Sequence, residues 1–190
     1  HWFRDQLARD LDPAGAFPWL ADEAAASPPG ANGLLQLPYF SGERTPIHDI
    51  HAKGALFGLN LTHTRGDMYR ALIEGIAYGT RHVTDTFAEL GQSPARLLAV
   101  GGGTQNRLWL QATSDITGID QVVCDKTIGA SYGDAFLAAL TIGAVNRTDI
   151  ARWNPVVETI TATDRTAYDK GYALFRRLYE QTKDIAHDLG

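Results

Sequence analysis

Apolar residues recur at helical spacing after Thr64. Tyr69, Leu72, Ile73, Ile76, Val83, Phe87 and Leu90 fall along one side, as a helix packed on a core requires. Thr64 with Asp67 three residues later has the form of a capping box, and Gly91 stands where a glycine closes a helix. Gly75 and Gly79 lie inside this helix, where each costs about 1 kcal/mol relative to alanine. Their presence predicts close approach of another backbone.

The same patterning divides the rest of the chain. His1 to Leu11 reads as a helix with Trp2, Phe3, Leu7 and Leu11 along one side, ended by Asp12-Pro13; Pro18 to Ala26 reads as a second, short helix. Ser27-Pro28-Pro29-Gly30 breaks the chain. Short strands are predicted at Gly33–Pro38 and Gly54–Leu59, with a polar loop from Tyr39 to His51 between them. Leu97–Val100 is an apolar run followed by Gly101-Gly102-Gly103, and Arg107–Thr117 is helical, with Gly118 as its stop. Gln121–Asp125 is a further strand. Ala130 to Ile142 is apolar or small almost all round, which predicts a buried helix. Asn146 to Ile160, with Trp153 and Pro155, reads as irregular. A last helix is predicted from Thr161–Asp164, with Tyr168, Tyr172, Phe175, Leu178, Tyr179 and Ile185 on one side.

Strands alternating with helices make this an α/β chain. The ends of the strands at Gly101 and Asp125 are expected on one edge of the sheet, the edge where open α/β sheets bind ligands.

Composition narrows the partners. The chain has 190 residues, enough for one sizeable core or two small ones, and it is 44% hydrophobic and 21% charged. A net charge of −5 gives no basic footprint for nucleic acid. No apolar run approaches the roughly 20 residues that span a bilayer, and no leader is visible, so a cytoplasmic protein without a membrane partner is expected. The single cysteine, Cys124, fits a reducing compartment and reads as core. His48, His51, His63, His82 and His187 show no metal-ligand spacing, so no metal site is expected in the chain. The first residues already read as the inside of an amphipathic helix, as in a piece of a longer protein.

The glycine run carries the candidate chemistry. Strand, glycine turn and helix together let a base or phosphate lie against main chain, while the helix offers unpaired N–H groups. The same sequence also makes an ordinary tight turn, in which Thr104 or Asn106 simply caps the helix. A dinucleotide-binding domain for NAD is a competing reading, since Gly101-x-Gly103 follows a strand and Asp125 stands about 20 residues on. It lacks the third glycine, because position 106 is Asn.

Leu37-Pro38-Tyr39-Phe40-Ser41-Gly42-Glu43-Arg44-Thr45-Pro46 is similar to the loop that opens the C-terminal half of carbohydrate kinases of the FGGY family. Ala52–Leu59 resembles the strand after it, and Arg70-Ala71-Leu72-Ile73-Glu74-Gly75-Ile76-Ala77 resembles the family's "RA.LEGIA" helix. Gly101–Gln111 resembles the adenosine segment "GGGA..S.LW.Q", and Gly129–Ala139 resembles the "GAAYGAA.LAA" helix. His1-Trp2-Phe3-Arg4-Asp5 is similar to "QWLRD". Each motif alone is weak; their order and spacing over residues 1 to about 145 are specific. Within the family, xylulose- and ribulose-type kinases are the nearest in character.

The resemblance implies an actin-like, ribonuclease-H-like ATPase fold, with a mixed sheet flanked by helices, and it makes residues 1–190 a C-terminal domain. It implies ATP and Mg²⁺ as cofactors, and transfer of the γ-phosphoryl group to a sugar, with a pentulose such as xylulose expected. The N-terminal half, a partner absent from this sequence, would carry the catalytic base, so no catalytic residue is expected here and these residues alone should not turn over. ATP contacts are implied for Gly102, Gly103, Asn106 and His1, and cleft positions for Arg44, beside Glu43, and Asp134. Asp125 is a further candidate, for ribose. Homodimerisation and a non-catalytic actin-like binding module stay open. The family often has glutamate at Ile128, alanine at Asp134 and a small residue at Asn106. An acid inside a buried helix requires a partner or a cleft.

Overall fold

The computed structural model describes all 190 residues. In chain order the elements are α1 (Trp2–Leu7), α2 (Ala16–Ala25), β1 (Leu35–Leu37), β2 (Ala55–Phe57), α3 (Arg65–Glu89), β3 (Leu97–Ala99), α4 (Arg107–Thr117), β4 (Gln121–Cys124), α5 (Ala130–Thr141), α6 (Ile150–Trp153), β5 (Val156–Ile160) and α7 (Thr166–Asp188).

The long helix α3 is the spine. The Thr64 hydroxyl accepts from the Asp67 amide, and the Asp67 carboxylate accepts from the Thr64 amide, completing the capping box. Asp67 also takes hydrogen bonds from Ser27 (2.6 Å) and Asn32 (2.7 Å), which ties the helix start to the chain break before β1. Burial works against the Asp67 charge, but the bonds from Ser27, Thr64 and Asn32 outweigh it and hold the carboxyl well below the usual carboxylate range.

Gly75 and Gly79, inside α3, turn out unlike each other. A Cβ at Gly75 would run into the carbonyl oxygen of Gln36 in β1, so the strand crosses the helix at that point. A Cβ at Gly79 would meet nothing within 4 Å. Close backbone approach therefore accounts for Gly75 and not for Gly79. Gly66 has a role like that of Gly75, against the main chain of Glu23 in α2.

β1 and β2 form an antiparallel ribbon, with Leu35 opposite Phe57 and Leu37 opposite Ala55. The second sheet is mixed, ordered β3-β4-β5, with β3 parallel to β4 and β4 antiparallel to β5. Pro155 does not leave this region irregular. The β-branched run Val156–Ile160 pairs with β4, with a register irregularity at Val123/Cys124.

Two cores flank α3. Phe3, Leu20, Ala24, Tyr69, Ile73 and Ala112 bring α1 and α2 onto α3 and α4. On the other side α7 packs Phe175, fully buried, against Tyr78 and Tyr39. The start of α7 lies later than the sequence pattern suggests. The Asp164 carboxylate binds the Thr166 amide and hydroxyl in a local turn, which delays the helix to Thr166.

The largest departure from expectation is α5. Only Phe136 of this helix is buried; Leu137 is 59% exposed and Ile142, just beyond its end, 81%. α5 is held mainly by aromatic contacts of Tyr132 and Phe136 with Trp153. On the face of the mixed sheet away from α4, Leu98 and Val157 are exposed as well. An apolar helix needs a neighbour to bury it, and none of the 190 residues lies over this face of α5.

Candidate functional site

Parallel pairing sets Leu97 beside Gln121 and Ala99 beside Val123, so β3 and β4 release their carboxyl ends on the same edge. There the Gly101 amide donates to the Thr127 carbonyl oxygen at 2.7 Å, joining the two turns. Gly101 has φ of +80°, a conformation glycine adopts without strain. Gly102–Gln105 forms one 3-10 turn, closed by the Thr104 hydroxyl donating to the Gly101 carbonyl oxygen at 2.8 Å.

Neighbouring glycines again differ. A Cβ at Gly101 or Gly102 would meet nothing within 4 Å, so the main chain there faces open space. A Cβ at Gly103 would approach the Trp109 ring at 3.3 Å. Gly103 thus also serves packing of the turn on α4. Val100 and Ile128 are exposed beside the opening, and Val100 lies against Gly129 at the start of α5. The turn therefore offers bare main chain flanked by apolar side chains, a surface suited to a flat base.

Asn106 is the N-cap of α4, with its side-chain oxygen accepting from the Trp109 amide at 3.0 Å. Burial pushes the nearby Tyr69 hydroxyl up, with the Asn106 side chain acting in the opposite direction. The side-chain oxygen of Asn106 is thus committed to the helix start. His1 is exposed at the end of α1, edge-on to Phe17 with ring centroids 5.4 Å apart, and no hydrogen bond or ring contact joins it to the glycine turn. Asp125 pairs with Lys126 at 2.9 Å on the surface. Asp134 is exposed on α5, as is Ile128 before it, so the acid needs no buried partner.

A second feature is the loop between β1 and β2. Glu43 and Asp49 face each other across its base and exchange two backbone hydrogen bonds of 2.8 Å. Glu43 and Arg44, adjacent in sequence, form no ion pair with each other. The Glu43 carboxylate instead accepts from the backbone amides of Arg44 (2.7 Å) and Thr45 (3.1 Å), and the Arg44 side chain stands exposed with no salt-bridge partner. Glu43 and Thr45 form one wall of a groove of about 450 Å³, with Pro38, Ile76, Gly79 and Thr80 lining the rest. Gly79 thus opens onto the groove.

Asp49 carries no signal in its local sequence. Its Oδ2 accepts from the Tyr179 hydroxyl at 2.9 Å and pairs with His187 Nε2 at 2.8 Å. These partners lie 130 and 138 residues away, beyond any spacing motif. Arg70 and Glu74, by contrast, are prominent in the helix motif and serve structure. Glu74 accepts from Arg70 Nε (2.7 Å) and from the Gly30 amide (3.1 Å to each oxygen), while Arg70 donates to the Ser27 carbonyl oxygen (2.6 Å) and the Tyr168 hydroxyl (3.3 Å). Burial pushes the Glu74 carboxyl up, and the Arg70 guanidinium partly restores it. No group of three His, Cys, Asp or Glu side chains is placed to hold a metal ion, and no helix is long and apolar enough to cross a membrane.

Comparison with known proteins places this geometry. The profile of the FGGY family of carbohydrate kinases, C-terminal domain, matches residues 1–142. A xylulose kinase of Staphylococcus epidermidis is 33% identical over 178 residues, 92% of this chain and 36% of its own length. The xylulose kinase of Bacillus subtilis is 32% identical over 188 residues, 97% of this chain and 37% of its own. The crystal structure of xylulose kinase from Rhodospirillum rubrum superposes with a TM-score of 0.86 at 33% identity, covering 98% of this chain and 38% of that one. The chain thus spans little more than a third of the length of these relatives, and its α/β architecture is that of the actin-like ATPase fold they share. The chain belongs to the FGGY family of carbohydrate kinases, with residues 1–142 matching the family's C-terminal domain.

Proposed function

We propose that this chain is the adenosine-binding C-terminal part of an ATP-dependent carbohydrate kinase whose acceptor is a pentulose such as xylulose. The observation that carries the proposal is the bare main chain at Gly101 and Gly102 on the shared carboxyl edge of β3 and β4, where no Cβ or neighbouring atom fills the space. The names of the relatives support the choice of sugar. Residues 1–190 form one domain in this reading, and the catalytic base and the groups that hold Mg²⁺ lie in the N-terminal half.

ATP supplies the transferred phosphoryl group and Mg²⁺ the charge that neutralises it. The residues of this chain bind and orient. Gly102 gives the adenine face an unobstructed approach, Gly103 seats the turn on Trp109, and Asn106 fixes the α4 start that follows the turn. Arg44 holds an unpaired positive charge on a loop facing the groove, available to a phosphate or sugar oxygen. His1 and Asp134 are exposed and free to meet a ligand, but the proposal does not rest on them.

The test is Gly102→Val in the intact kinase. Its Cβ enters open space, so folding should be preserved while the base is blocked. Calorimetry is expected to show weakened ATP binding with an unchanged melting temperature. Unchanged ATP affinity would overturn the adenosine assignment. Gly103→Val is a poorer probe, because its Cβ also presses on Trp109.

A further inference from the structure

The C-terminal helix reaches back to the loop that carries Glu43 and Arg44. α7 lies wholly beyond residue 142, outside the part of the chain that the family profile matches. Two of its side chains nonetheless converge on one oxygen of Asp49, through the Tyr179 hydroxyl and His187 Nε2. The other oxygen of Asp49 accepts from the His51 amide at 2.9 Å, so both are engaged. The Asp49 side chain is only 9% exposed although it sits in a surface loop. Around it, the Tyr179 ring stacks edge-on to Tyr39 (5.7 Å) and the His187 ring edge-on to His51 (5.8 Å). Lys53 Nζ reaches the Gly190 carbonyl oxygen at 2.6 Å, a second tie between this segment and the end of the chain.

The backbone relays this anchorage. Asp49 is cross-paired with Glu43 by two hydrogen bonds, and the Glu43 carboxylate in turn fixes the amides of Arg44 and Thr45. The loop is closed tightly at its base, since a Cβ at Gly42 would meet the Ile50 carbonyl oxygen at 2.7 Å. Beyond that base, the tip from Arg44 to His48 is held by one internal backbone bond, from the His48 amide to the Arg44 carbonyl oxygen at 2.9 Å. Ile47 rests on the core around Tyr39 and Phe175, and the hydrogen-bonded hold on the Arg44 end of the tip comes through the Glu43–Asp49 pair.

We propose that Asp49, Tyr179 and His187 are positioning residues: a clasp by which the end of α7 sets the place of Arg44 and of the Glu43–Thr45 wall of the groove. The functional part of this inference rests on the reading that Arg44 meets substrate. The His187 hydrogen bond, followed by that of Tyr179, holds the Asp49 carboxyl down at about 2, against the effect of burial, so the anchor stays an anion across the working range of an enzyme.

The experiment uses the intact kinase with Asp49→Asn, His187→Leu, the more conservative His187→Gln, and Arg44→Ala, each checked by its melting curve. One readout is kinetic, with kcat and KM measured for both ATP and xylulose. The other is trypsin cleavage after Arg44, which reports loop order independently of turnover. Opening the clasp is expected to raise the KM of the same substrate that Arg44→Ala affects, by about tenfold, the loss of one charge-assisted hydrogen bond, with a smaller change in kcat. Cleavage after Arg44 should accelerate to a similar degree, and His187→Gln should restore part of both effects. Unchanged cleavage and kinetics in Asp49→Asn and His187→Leu would overturn the clasp. Faster cleavage with no kinetic effect from any variant, Arg44→Ala included, would uphold the clasp and overturn the role of Arg44 instead.

Discussion

Gly75 and Gly79 provide a matched pair of substitutions with opposite expected signs. Both lie inside α3, four residues apart, and replacement by alanine gives each the same intrinsic gain of about 0.8–1 kcal/mol in helix propensity. What differs is the space. At Gly79 the new methyl meets nothing within 4 Å, so the propensity gain stands alone and Gly79→Ala should stabilise by roughly that amount. At Gly75 the methyl would collide with the carbonyl oxygen of Gln36 and press on its carbonyl carbon and Cβ, each at 3.2 Å. That obstacle is backbone, and it belongs to a strand held on its other side by pairing of Gln36 with Leu56. Neither α3 nor β1 can yield without disturbing the core on Leu37, so an overpacking cost of about 1–3 kcal/mol applies. Net of propensity, Gly75→Ala should destabilise by up to about 2 kcal/mol. Gly75→Leu should cost more. For a chain of this size 1 kcal/mol corresponds to about 2–4 °C in melting temperature, so the two alanine variants should melt on opposite sides of the parent, several degrees apart. The assay is thermal and urea denaturation followed by circular dichroism. If Gly75→Ala melts at or above the parent, the helix–strand crossing does not constrain that residue and the reasoning fails.

Two further outcomes follow from buried charge. Glu74→Ala should destabilise by about 3–5 kcal/mol in urea titration, because it strands the buried Arg70 guanidinium and leaves the Gly30 amide without its acceptor. A loss under 1 kcal/mol would mean that the pair is not the tie between α3 and the 27–30 turn. For Asp67 the folded carboxyl titrates below its unfolded value near 3.9, so its contribution is present above that pH and is lost as pH falls through and below it. The stability difference between parent and Asp67→Asn should therefore be constant from pH 8 to about 5 and shrink toward lower pH; a difference that grows on acidification would contradict the assignment.

How much of this was legible depended on range along the chain. The bounds of α3, α4 and α5 could be read closely, because capping residues and helical periodicity are local signals. The shared edge of β3 and β4 followed from the alternation of strand and helix. β5 was overlooked because Trp153 and Pro155 obscured the β-branched run Val156–Ile160 just after them. In the candidate site the glycine turn announced itself, yet the sequence could not rank three adjacent glycines. Only the surroundings separate Gly102, facing open space, from Gly103, facing Trp109. Glu43 shows the same limit. Sequence sets it beside Arg44 without saying what its carboxylate holds, and the structure gives that carboxylate to the backbone amides of Arg44 and Thr45. Asp49 could not be found at all, since its meaning comes from residues near the other end of the chain.

The exposed face of α5 follows from the same physics that makes apolar periodicity useful. A run such as Ala130–Thr141 states how strongly a surface is driven from water, and it carries no information on where the cover comes from. Leu137 is exposed here, as are Ile142 just past the helix and Leu98 and Val100 at the edge of the mixed sheet. Apolar side chains scattered singly over a surface need no explanation, whereas several on neighbouring elements do. β3 sharpens the point, because it pairs on one side only, with β4. The open edge of β3 leads directly into the bare main chain at Gly101 and Gly102. Any element that covered Leu98 and Val100 would also form a wall of the proposed adenosine site. The affinity of that site for ATP thus depends on what stands beside β3, which is why the Gly102 substitution is assigned to the intact kinase.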